Sequence, residues 1–177
     1  MKMNTILING IAIAFAVSTA CTSGTTTGTK TETSGEHAHE TAAVETSNPI
    51  FKDEKSKQVY AHYIHLKTAL IKGDAKEAKA GASALKTALT NAGNKKGADL
   101  AGKIAASSDL KQQRNSFNAL TAEVEGVIRT AGLKSGKVYK QYCPMADGYW
   151  LANETEIRNP YYGDEMLNCG EVKEEIR

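Results

Sequence analysis

The chain of 177 residues predicts a mainly α-helical protein, an up-and-down four-helix bundle, followed by an irregular or short-β segment rich in Cys, Met and aromatic side chains. Three observations carry that expectation. Apolar residues recur three and four apart between Asp53 and Thr130, the period of a helix with one buried face. Gly, Asp and Asn punctuate that stretch where helices stop and start. Six of the eleven aromatics and two of the three prolines then crowd into the stretch after residue 138. A hydrophobic share of 41% with 24% charged residues is that of a globular chain. The net charge of +2 lacks the basic footprint that nucleic-acid binding needs.

Taken in order, Lys2 and the apolar run from Ile6 to Val17 read as a secretory signal, too short to span a bilayer. Ser18-Thr19-Ala20-Cys21 follows and resembles the lipobox of bacterial lipoproteins, with Ser18 in place of the favoured Leu. The resemblance implies removal of residues 1–20 and lipidation of Cys21. The plainer alternative is an ordinary signal that leaves Cys21 a free thiol. Residues 21–48, dominated by Thr, Ser, Gly and Glu, predict a disordered tether, because they offer too little apolar area to offset ordering entropy. Within it, His37 and His39 could assist in holding a borderline cation, although such pairs also arise by chance.

The domain of residues 49–177 opens with a helix whose stripe is Val59, Tyr63, Leu66 and Leu70. Gly73 stops it, and Asp74 with Glu77 forms a capping-box pattern for the next. Ala78, Ala82, Leu85 and Leu89 repeat the stripe up to Ala92-Gly93-Asn94. A weaker third segment carries Leu100 and Ile104. Ser108-Asp109 starts a fourth with Leu110, Phe117, Leu120, Val124 and Ile128 inward, closed by Gly132. Short connections favour antiparallel neighbours, and the many alanines favour close helix approach. Steps of about 100° place His62 at the edge of the core and His65 towards water. Lys76, Lys79, Lys86, Lys95 and Lys96 read as a solvated face.

Residues 138–142 and 149–151 predict two short strands turned through Ala146-Asp147-Gly148, and Asn159-Pro160 and Gly163 bend the chain again. The domain's cysteines and methionines all fall here, as Cys143-Pro144-Met145 and Met166-Leu167-Asn168-Cys169. Three readings compete. Thiolate and thioether select Cu(I) or Ag(I), with Cys143 and Cys169 as thiolates and Met145 and Met166 completing or shielding the site. A Cys143–Cys169 disulfide would instead staple the segment, worth about 3 kcal/mol for such a loop. Alternatively, the two methionines fill core beneath the aromatics.

The run CPMADGYWLANETEIRNPYYGDEMLNCGEVKE, behind an alanine-rich helical stretch, resembles an uncharacterised bacterial domain family. That family occurs in small exported lipoproteins and at the C-terminal ends of periplasmic adaptor subunits of copper/silver efflux pumps. The resemblance spans roughly Asn48 to Ile176. It implies a helical bundle and an association with heavy-metal handling, but no ligand set. Without glycine-rich phosphate loop, nucleophile elbow or zinc-protease helix, the chain is expected not to be an enzyme. A cleft enzyme using Tyr, Asp147 or Glu165 ranks behind the other readings.

The expectation is a lipid-anchored, periplasm-facing protein of the cell envelope. It would bind Cu(I) or Ag(I) and have heavy-metal efflux components as partners. The alternative is a disulfide-stapled domain that docks a partner protein.

Overall fold

The computed structural model describes residues 43–177, so Cys21, His37 and His39 lie outside the described residues. Four helices come first: α1 (Glu54–Ile71), α2 (Ala75–Asn91), α3 (Lys95–Ala106) and α4 (Leu110–Ala131). Each begins at a side-chain cap. Asp53, Asp74, Asn94 and Asp109 accept from the backbone N–H of Ser56, Glu77, Gly97 and Gln112. The first two helix-to-helix turns share one device. Gly73 and Gly93 adopt φ of 68° and 79°. Asp74 N–H reaches back to Ala69 O at 3.0 Å, and Asn94 N–H to Leu89 O at 2.9 Å. The residue that closes one helix therefore caps the next, which makes these turns short and stiff.

Consecutive helices pack on each other, and α1 also meets α4. The apolar stripes are buried as the periodicity predicts: Val59, Tyr63, Leu66 and Leu70 on α1, Ala78, Ala82, Leu85 and Leu89 on α2, and Phe117, Leu120, Val124 and Ile128 on α4. Leu110 differs. Expected inward, it is only half-buried, because it is the first residue of α4 and lies at the rim of the core. On α2, a Cβ at Gly81 would come within 3.2 Å of the Leu66 backbone, so glycine permits the close approach of α1 and α2. None of the described helices is long and apolar enough to cross a membrane.

The C-terminal segment holds more β-structure than the sequence predicts. Strands β1 (Ile50–Phe51) and β2 (Leu133–Ser135) pair antiparallel. The expected strands are β3 (Val138–Cys143) and β4 (Gly148–Ala152), and a further strand, β5 (Glu171–Ile176), completes an antiparallel sheet in the order β4-β3-β5. The inner face of β3 and β4 buries Tyr139, Gln141, Cys143, Trp150 and Ala152, and β4 packs on α4 and α1.

The boundary drawn at residue 48 falls inside a docked stretch. Ser47 N–H donates to Asn153 O at 2.6 Å, Thr155 N–H to Glu45 O at 2.9 Å, and Lys137 N–H to Ser47 Oγ at 2.8 Å. Residues 45–47 thus belong with the folded domain.

Candidate functional site

Cys143 ends β3 and Cys169 lies just before β5, so the antiparallel pairing of β3 with β5 brings them to the same end of the sheet. Their sulfurs are 3.0 Å apart across 26 residues of chain. Cys143 is fully buried and Cys169 half-buried, and neither is in a disulfide. Burial pushes the Cys143 thiol up. The hydrogen bond from Cys169, the N–H groups of Ala146 and Met145 and the Asn159 side chain outweigh that, and the group sits below its ordinary value. Cys169 goes the other way, raised first by its hydrogen bond to Cys143 and then by burial. Of the two, Cys143 is therefore the thiol that gives up its proton more readily.

Asn159 is the keystone of the surrounding loops. Fully buried, it donates from Nδ2 to Cys169 O at 2.9 Å and accepts at Oδ1 from the N–H groups of Tyr161 at 2.8 Å and Tyr162 at 3.3 Å. Its own N–H donates to Leu167 O at 2.8 Å. The Asn-Pro dipeptide signals a bend, but nothing in the sequence announces that one amide ties both arms of the segment together. Arg114 of α4 clamps the same loop onto the helices, donating to Pro160 O at 3.0 Å and Leu70 O at 2.9 Å.

The aromatics form one packed row. Tyr63, Phe117, Tyr161 and Trp150 follow in contact, with ring centroids 5.3, 5.8 and 6.1 Å apart. The Tyr63 hydroxyl meets Thr121 Oγ1 at 2.9 Å and accepts from Leu151 N–H at 3.1 Å, joining α1, α4 and β4. Two glycines allow this packing. A Cβ on Gly148 would lie 2.5 Å from the Tyr161 ring, and one on Gly170 2.7 Å from Trp150.

The methionines do not fill the core under these rings. Met145 is 63% exposed, and Met166 is half-buried. The carbonyl of Met166 accepts from Cys169 N–H at 3.0 Å, and that of Met145 from the Tyr162 hydroxyl at 3.0 Å. The helix histidines lie apart from this cluster. His62 is half-buried, and exposed His65 pairs with Glu77 of α2 at 2.6 Å, a partner that sequence spacing did not suggest. Among the described residues no group of three or more His, Cys, Asp or Glu side chains converges. At the sheet end the donors are the two sulfurs, and the thioethers are near them in the chain only.

Residues 59–136 match the family model described as "Protein of unknown function (DUF3347)". The match agrees with an uncharacterised domain family, but it covers the helices and ends before Cys143, so the Cys/Met segment lies outside it. No curated protein and no solved structure matches the chain.

Proposed function

We propose that the chain is a non-enzymatic, lipid-anchored binder of a soft monovalent metal ion, Cu(I) or Ag(I), held between Cys143 and Cys169. The supporting observation is the meeting of the two thiols at 3.0 Å, with Cys143 the readier of the pair to ionise. The ion would replace the Cys169 proton and sit between the sulfurs, which must part to admit it. Cys143 is fixed in the sheet, so Cys169, half-exposed on its loop, is the partner that moves. Met145 and Met166 would complete or shield the site, and His37 and His39 would assist from the tether. The helices, read as an up-and-down bundle, are the rigid support. Export, lipidation at Cys21 and work beside heavy-metal efflux components in the cell envelope belong to the same reading.

Competition for Cu(I) against a coloured chelator, with the protein reduced and air excluded, tests this. Wild-type protein takes one ion, and Cys143→Ser and Cys169→Ser each lose tight binding. Undiminished binding by Cys143→Ser would end the proposal.

The same closeness of the sulfurs favours a second reading, a Cys143–Cys169 disulfide that staples a partner-docking domain. Free-thiol titration of air-exposed protein separates the two, since a staple leaves neither thiol reactive.

A further inference from the structure

We propose that the groove lined by Met145, two residues along the chain from Cys143, is the loading port for the ion, that Met145 is its entry ligand, and that the ion arrives as an anionic bis-thiolate complex. This rests on the metal reading above. The groove, ≈ 580 Å³, lies between the start of α4 and the C-terminal loops, with Lys111, Arg114, Met145, Tyr162 and Glu165 on its walls.

Met145 lines the groove two residues along the chain from Cys143. Its carbonyl is held by the Tyr162 hydroxyl, and its side chain is 63% exposed. The thioether is therefore the soft donor nearest to solvent in a site whose anchor, Cys143, is fully buried.

The charge of the groove selects the carrier. Lys111 is exposed and has no ion-pair partner among the described residues. Arg114 is a positive charge held in place by its bonds to Pro160 O and Leu70 O. Glu165 is the carboxylate on the wall and faces Arg114. The balance is positive. A monovalent ion bound by two thiolates carries net negative charge and is drawn to such a surface, the more strongly at low salt.

Loading is ligand exchange, and the metal stays monovalent throughout. One carrier thiolate leaves as the Met145 sulfur binds, and the second leaves as Cys143 binds, carrying off the Cys143 proton as a thiol. Cys169 then displaces Met145 and gives its proton to solvent.

The test is stopped-flow loading of the full, reduced chain from two carriers, Cu(I) held by two glutathione thiolates and cationic Cu(I)–acetonitrile. Lys111→Glu is expected to slow loading from the glutathione complex about tenfold at low salt, with salt closing the gap. It leaves loading from acetonitrile unchanged. Met145→Leu slows loading from both carriers, and Lys111→Glu leaves the amount bound at equilibrium unchanged. A Lys111→Glu protein that loads from glutathione at the wild-type rate overturns the charge selection. A Met145→Leu protein that loads from both carriers at the wild-type rate overturns the entry role. Wild-type protein that takes no ion from either carrier removes the metal reading itself.

Discussion

The Asn159 side chain donates to the carbonyl of Cys169 while accepting from the N–H of Tyr161, at 2.9 and 2.8 Å, so one buried amide spans the bend and the cysteine that must reach the sheet. Removing it strands those groups away from water. Asn159→Ala is expected to cost about 3 kcal/mol, read as a lower urea midpoint with an unchanged slope. A loss within a few tenths of a kcal/mol would show that the loops hold without it.

Gly148 faces the Tyr161 ring so closely that its Cβ would fall 2.5 Å from Cζ. The ring cannot retreat easily, because its hydroxyl is bonded to Tyr149 O and its edge lies on Trp150 and Phe117. Gly148→Ala should destabilise the domain by about 2 kcal/mol. Pairing it with Tyr161→Phe does not relieve the clash, whereas Tyr161→Leu should recover part of the loss in the double mutant.

The helices and their turns are legible in the sequence, because the four-residue stripes and the Gly-Asp and Gly-Asn pairs each have a local physical meaning. Strands β3 and β4 are legible too, from alternating tyrosines about a turn. Strand β5 is not. Glu171-Val172-Lys173-Glu174-Glu175-Ile176 is mostly charged, and only its edge position and its pairing with β3 make it a strand. The docking of residues 45–47 is hidden for a similar reason, since it depends on backbone bonds to Asn153 and Thr155 rather than on apolar side chains. The rarity of Cys and Met marked the site segment, but the roles of Asn159, Arg114 and Gly148 depend on contacts far along the chain.

Tyr60, Tyr63 and Tyr161 are all raised from an ordinary value of 10.0, burial being the largest cause in each. A tyrosine raised in the folded state ionises first from the unfolded chain. Its contribution to stability is therefore whole below the unfolded value and declines above it. The urea midpoint should fall between about pH 9 and about pH 11, with tyrosinate absorbance rising in step with unfolding. A midpoint that holds steady across that range would contradict the burial of these hydroxyls.

Trp150 is the one tryptophan of the chain, and it lies against Gly170, next to Cys169. Movement of Cys169 to admit an ion should alter its surroundings. Ag(I) titration of reduced protein is expected to change Trp150 emission and to saturate at one equivalent, and Cys169→Ser should abolish the change. Emission that responds equally in Cys169→Ser would place the bound ion elsewhere.

Native mass spectrometry of the full, reduced chain with Cu(I), Ag(I) and, as a control, Zn(II) tests the central claim most directly. The account predicts one retained Cu(I) or Ag(I), no retained Zn(II), and loss of the ion in both Cys143→Ser and Cys169→Ser. A chain that retains no soft ion while reduced, and on exposure to air shows the mass deficit of a Cys143–Cys169 disulfide, would contradict it and leave the staple as the role of the pair.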